Sequence, residues 1–209
     1  MKLLSVNVAA DLHRGEPWTG SNPETGIDKR SVNARVRLFD DHVDGDRVID
    51  RKHHGGEFKA VYAYAREDAE WWEARIGRPL AYGAFGENLT TSGLDVTNAV
   101  IGERWSIGSA VLQVTEPRIA CRVFAGFWDR PDLIKEFSDA GRSGTYLKIV
   151  VEGDVGADDA IDVIHRPSHG VTVGIANAAK LGNADLVPSL LGIPDLPPKW
   201  QEWVGKRSS

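Results

Sequence analysis

Between residues 81 and 116 glycine interrupts the chain at intervals of three to nine residues: Gly83, Gly86, Gly93, Gly102 and Gly108 cut it into apolar pieces shorter than a typical helix. Each glycine inside a helix costs roughly 1 kcal/mol relative to alanine, and glycine supplies the positive φ that tight turns require. Such a segment folds as short strands joined by close turns. The run A-V-L-Q-V-T at 110 to 115 adds the period of two expected of a half-buried strand. A barrel or sandwich is the architecture these features predict.

The same period recurs elsewhere. KLLSVNVA at residues 2 to 9 is an apolar run of strand length, and SVNARVRLF at 31 to 39 sets Val32, Ala34, Val36 and Leu38 against Asn33, Arg35 and Arg37. TYLKIVVEG and DAIDVIHRP add two more candidates, which carry the β-rich part to about Pro167. Two stretches have helical spacing instead. Phe58, Val61, Tyr62, Ala65, Ala69, Trp72 and Ile76 recur at steps of three and four up to Gly77 and Pro79, predicting one long helix. PDLIKEFSD at 131 to 139 predicts a brief one, with Gly141 just past its end. Beyond Pro167, VTVGIANAAKL, ADLVPSLLG and PPKWQEWVGK read as three short helical pieces parted by Gly and Pro.

Composition narrows the function classes. At 209 residues, 42% of them apolar and 26% charged, the chain can bury a sizeable core. Its 25 Lys and Arg face 30 Asp and Glu, a net charge of −5, so binding to nucleic acid is not expected. No apolar run approaches the about 18 residues needed to cross a bilayer, and Asn7 and Asp11 interrupt the N-terminal apolar stretch. The expectation is a cytoplasmic protein with no membrane span. A single cysteine, Cys121, excludes an internal disulfide and any zinc cluster built on several thiolates.

The chemistry-bearing residues gather around glycine and around that cysteine. His54-Gly55-Gly56, Gly86-Glu87-Asn88 and Gly141-Arg142-Ser143-Gly144 are polar glycine loops. They serve as tight turns, or as a lining of N–H groups around a ligand. Cys121 lies in E-P-R-I-A-C-R, with Arg118 three residues before it and Arg122 one after. A lone cysteine is ordinarily a small hydrophobe, but neighbouring cations favour the thiolate, which suits a nucleophile or a soft-metal ligand equally. Lys29, Arg30, Lys59, Arg118, Arg122, Arg142 and Lys148 lie beside the glycine loops, and an anion site follows only if several of them converge. His165 and His169 are separated by Pro167, so they cannot share a regular helix face as a metal pair. A His–Cys dyad lacks a visible third, orienting group.

Taken together, D-R-K-H-H-G-G at 50 to 56, K-A-V-Y-A-Y at 59 to 64, Y-G-A-F-G-E-N-L at 82 to 89, I-G-E-R-W-S-I-G at 101 to 108 and E-P-R-I-A-C at 116 to 121 resemble the MOSC domain, named for the C-terminal domain of molybdenum cofactor sulfurases. The tail from Val171 is similar to the small three-helix domain of a stand-alone bacterial branch, which includes reductases of N-hydroxylated bases such as 6-N-hydroxylaminopurine. The resemblance implies a fold that is mainly β with helices: a MOSC-type β-barrel at residues 1 to 167 and a three-helix appendage at 168 to 209. It also implies a molybdenum cofactor of the molybdopterin type with Cys121 as the metal ligand.

Carried over by position, Arg118 matches the arginine of the family's P-R-x-x-C turn, and Lys29 matches a lysine of the bacterial branch important for activity. His54, Gly55, Gly56, Lys59, Gly86, Glu87 and Asn88 fall on the loops that shape the cofactor pocket, with Asn88 orienting substrate. Ala120 departs from a proline common before the cysteine. The implied partners are a small N-hydroxylated substrate and an external electron-donor protein, since no flavin or haem motif is visible. A homodimer stays open. The rival readings are a sulfur-carrier or cofactor-binding module using a Cys121 persulfide, with no pyridoxal-phosphate desulfurase domain in the chain, and a barrel without catalysis.

Overall fold

The computed structural model describes residues 1–20 and 23–208. In chain order its strands are β1 (Lys2–Ala9), β2 (His13–Arg14), β3 (Glu24–Thr25), β4 (Lys29–Val32), β5 (Val36–Phe39), β6 (His42–Val43), β7 (Val61–Ala65), β8 (Leu89–Ser92), β9 (Arg104–Ile107), β10 (Ala110–Pro117), β11 (Thr145–Val151), β12 (Gly153–Val155) and β13 (Ile161–His165). The α-helices are α1 (Arg51–His54), α2 (Arg66–Ile76), α3 (Arg122–Phe127), α4 (Leu133–Ala140), α5 (Val173–Lys180) and α6 (Pro198–Gly205).

Eight strands form one mixed sheet in the order β13-β9-β10-β11-β7-β8-β1-β4, in which only the β7–β8 pairing is parallel. The sheet curls far enough for the start of β1 to meet the start of β13: Leu3 N–H donates to Asp159 O (2.9 Å) and Ile161 N–H to Met1 O (3.0 Å). It does not close into the expected barrel. Its edges, β13 and β4, do not pair among the described residues. The chain leaves β4 after Val32 and enters a separate sheet of order β12-β5-β6, so the alternation read as one strand over 31 to 39 is two strands around a turn at 33 to 35.

A second correction concerns residues 58 to 65. The helix predicted from Phe58 begins only at Arg66, because Val61–Ala65 is a central strand buried on both faces. Val61, Ala63 and Ala65 join the apolar cluster inside the curl, whereas Tyr62 and Tyr64 join an aromatic cluster on the other side. A strand covered on both faces reads as a continuous apolar run and mimics helical spacing. The aromatic cluster seals α2, α3 and α4 to the sheet, with Tyr64 stacked on Phe85 at 4.3 Å and Phe137 packed on Trp72 at 6.0 Å. Gly77 and Gly141 end α2 and α4 in the left-handed conformation, as the sequence predicts.

The C-terminal region contains α5 and α6 with a 3-10 stretch, Ala184–Leu190, between them rather than a third α-helix. Pro188 lacks the N–H that an α-helix needs there. Ala176, Leu190, Trp200 and Val204 are buried in the same apolar cluster as Leu3, Trp105 and Leu112 of the sheet. No helix among the described residues is long and apolar enough to cross a membrane.

Candidate functional site

Where β10 ends, Pro117 closes the strand and the chain turns through Arg118 and Cys121 into α3. This turn forms one wall of a pocket of about 90 Å³, also lined by Lys29, Arg47, His54, Lys59, Tyr62, Gly86, Asn88 and Tyr146. Cys121, half-buried, also faces an outer groove of about 550 Å³ that shares Asp50, His54, Lys59 and Tyr146 with the pocket. Seven residues singled out from the sequence therefore line one pocket: Lys29, His54, Lys59, Gly86, Asn88, Arg118 and Cys121.

Arg118 is the most constrained of them. It is 5% exposed, lies over the rings of Tyr62 (4.9 Å) and Phe124 (4.8 Å), and donates to the carbonyl of Phe85. Among the described residues it forms no ion pair with a carboxylate. A buried cation met by a carbonyl, the Tyr62 side chain and aromatic faces remains short of negative charge, which an anion in the pocket would supply.

Lys29 is equally buried but paired: its Nζ meets Asp46, whose carboxylate also accepts from Asn88 Nδ2 (2.8 Å) and the Ala9 N–H (2.9 Å). Burial lowers the Lys29 pKa, with Asp46 opposing and Arg118 adding to the fall. Burial pushes Asp46 up, but Lys29, Asn88 and the Ala9 amide outweigh it, and its net pKa lies below the usual carboxylate value. Asn88 accepts from Tyr62 N–H (3.1 Å) and donates to Asn7 O and Asp46. It braces the pocket wall, and its Oδ1 keeps a second lone pair beyond the bond from Tyr62.

His54 sits within hydrogen-bond distance of Tyr146 OH, Nδ1 to oxygen 3.0 Å. Burial, then the Arg118 and Lys59 charges, lower its pKa to about 4, whereas burial raises both Tyr62 and Tyr146. The imidazole is therefore neutral at pH 7. In the unfolded chain it would take a proton near its ordinary value of about 6.5, so between that value and 4 stability falls as the pH drops. From about pH 7.5 to about pH 5 this residue is expected to remove about 2 kcal/mol. Urea denaturation of the wild type and of His54→Gln across that range measures it, and equal losses in both proteins would refute the assignment.

Other expected site residues lie elsewhere. Glu87 is behind the pocket, where it holds the 83 to 87 turn by accepting from Gly83 N–H (2.6 Å), Phe85 N–H (3.0 Å) and Thr90 Oγ1 (2.8 Å). That turn needs glycine: Gly83 has φ +85°, and a Cβ there would come within 2.3 Å of Lys29 O. Gly55 and Gly56 line a neighbouring groove with Lys180 and Trp200. Arg122, expected beside the sulfur, turns its guanidinium to the carbonyls of Pro17 and Trp18. Arg142 pairs with Asp68, Lys148 with Glu57, and Arg30 with Asp28 and Asp11. No group of three or more His, Cys, Asp or Glu residues among those described is placed to hold a metal ion.

The sequence reading missed Asp46, Arg47, Tyr62 and Tyr146. Tyr62 fell within the predicted helix and Tyr146 within a predicted strand, neither with a role at the site. The two tyrosines are buried beside Arg118 and Asp46 is paired with Lys29, contacts that only folding creates.

The sequence profile of the MOSC domain matches residues 50–162. The uncharacterized protein YflK of Bacillus subtilis (strain 168) is 35% identical over 170 residues, covering 79% of this chain and 77% of its own. A protein named reductase from Gibberella moniliformis is 32% identical over 118 residues, 54% of this chain but 21% of that protein. The crystal structure of YiiM from Geobacillus stearothermophilus superposes with a TM-score of 0.81 at 28% identity, over 100% of this chain and 99% of that one. Matched over more than half its length and carrying the P-R-x-x-C turn on the pocket wall, the chain belongs to the MOSC domain family.

Proposed function

We propose that this protein is a molybdenum-cofactor-dependent reductase of N-hydroxylated compounds, hydroxylaminopurine-like bases among them. The observation that carries the reading is the placement of the one thiol, Cys121, on the wall of a pocket that also holds a buried arginine with no carboxylate partner among the described residues. The donor set fits the group: a soft sulfur for the metal and a charge-deficient Arg118 for an anionic portion of the pterin. The name reductase on a relative 32% identical over 118 residues is consistent with it.

When bound, the molybdenum–pterin group supplies a two-electron redox centre. Cys121 would hold the metal through Sγ, and Arg118 with Arg47 would face the cofactor's negative charge. The net reaction breaks the N–O bond of R–NH–OH, takes up two electrons and two protons, and yields R–NH₂ and water. Lys29 is the acid in reach. Its ammonium lines the pocket, and its lowered pKa makes a proton on Nζ easier to release than from an ordinary lysine. His54 and the two tyrosines are poor donors at neutral pH because one is already neutral and the others hold their protons tightly. They shape and dry the cavity instead.

Protein purified from a host that makes the cofactor is expected to hold molybdenum and to reduce 6-N-hydroxylaminopurine with dithionite-reduced methyl viologen. Labile sulfane sulfur on Cys121, with molybdenum supplied yet no turnover, would replace this reading with the sulfur-carrier one.

A further inference from the structure

We propose that the rim of the outer groove is a docking face for a small acidic electron-carrying protein; the assignment of electrons as its cargo rests on the reductase reading above. Many lysines and arginines among the described residues are drawn into ion pairs, Lys2 with Asp158, Arg35 with Asp159, Arg51 with Asp41, Arg66 with Glu73 and Arg130 with Glu136 among them. Among the described residues Lys52 on α1, Lys180 on α5, Lys199 on α6 and Arg207 just beyond α6 form no ion pair, and they sit together. Lys199 Nζ donates to Lys52 O at 3.3 Å. Lys180 and Arg207 share the Trp203 indole, at 4.1 and 4.9 Å from its ring centroid. Burial lowers the Lys180 pKa, and the Arg207 charge lowers it further.

The acids near this face are already engaged. Asp50 bonds His53, Glu57 pairs with Lys148, Glu202 pairs with Lys206, and buried Glu116 accepts from Trp200 Nε1 (2.6 Å) and lies 3.5 Å from Lys59. Lys52 and Lys199 line both the groove that reaches Cys121 and the adjoining groove of Lys180 and Trp200. The positive face therefore borders the entrance to the pocket.

Its character favours a protein surface over a small anion or a nucleic acid. Three of the four cations are lysines, mobile point charges without the fork that grips a phosphate, and they come from separate elements rather than converging on one point. Trp200 is 4% exposed, so its ring is closed to base stacking. Cations spread along the entrance of the pocket suit transient electrostatic steering of an acidic partner. The partner would return oxidised, two electrons lighter per N–O bond broken, delivered singly in two visits or together in one.

The test reverses charge at Lys52→Glu, Lys199→Glu and Arg207→Glu together and leaves Lys180, packed on two indoles, in place. The probe is a flavodoxin, a small acidic flavoprotein, with dithionite-reduced methyl viologen as a donor that needs no docking face. Circular dichroism checks the fold, and Arg75→Glu, an exposed reversal outside the patch, is the control. The triple variant is expected to bind flavodoxin at least about ten-fold more weakly at low salt and to lose most of the salt dependence, with methyl viologen turnover unchanged. Unaltered flavodoxin binding by the triple variant, absence of binding by the wild type at low salt, or tight binding of a single-stranded oligonucleotide instead, would overturn the proposal. Weakened binding with no methyl viologen turnover even in the wild type would uphold the face and remove the reductase reading.

Discussion

Cys121→Ser is expected to yield a folded protein that no longer retains molybdenum and reduces hydroxylaminopurine by more than about 100-fold less. Loss of a partner that merely orients a metal ligand costs about 10–100-fold, and removing the ligand itself exceeds that. Folding should survive because the side chain is half-buried at the mouth of α3, makes no capping hydrogen bond, and serine fills nearly the same volume. Elemental analysis and the circular dichroism spectrum give the two readouts. Full molybdenum content in the serine variant would end the ligand assignment whatever the activity did. A hydroxyl is a harder and less acidic donor than a thiol, so it does not replace the sulfur.

The second large effect concerns folding. Lys29→Met leaves Asp46 buried with only Asn88 and one amide to meet its charge, and is expected to cost about 3–5 kcal/mol in urea denaturation. Adding Asp46→Asn removes the stranded charge while an amide can still meet Asn88, so the double variant should recover most of that loss. The acid limb gives a further check. Because the folded Asp46 pKa is depressed, its stabilising share is held above the unfolded carboxylate value and lost as the pH falls through the folded one. A loss of under about 1 kcal/mol for Lys29→Met would show that the pair does not hold the pocket wall. The double variant also separates structure from chemistry: recovered stability with turnover still low identifies Lys29 as the proton source, whereas recovered turnover makes it only a brace.

Local pattern was a good guide where one face of an element is wet. α4 ended at its glycine because a single covered face imposes the simple period of 3.6, and β1 matched its apolar run residue for residue although Ser5, Val6 and Asn7 are all buried. It misled at Val61–Ala65, where cover on both sides erased the polar half of the pattern. It also misled at residues 33 to 35, where a turn between two sheets preserved the alternation.

The candidate site divides in the same way. Cys121, Arg118, His54 and Lys59 were visible as residue types in short motifs, and Gly86 as a turn. Asp46 was not, because a carboxylate announces nothing until a lysine from β4 and an amide from the loop before β8 close on it.

From the chain alone came the identity of the sulfur, the arginine three residues before it, the strand-and-turn character of the middle third and the excess of acid over base, all properties of neighbouring residues or of simple counts. Tertiary structure decided which cations met at the pocket and which were drawn off to carboxylates or carbonyls, that the sheet stayed open, and that Glu87 and Asn88 support the wall. Those outcomes depend on the pairing of groups distant in sequence, and burial sets the strength of each pairing by removing the water that would otherwise screen it.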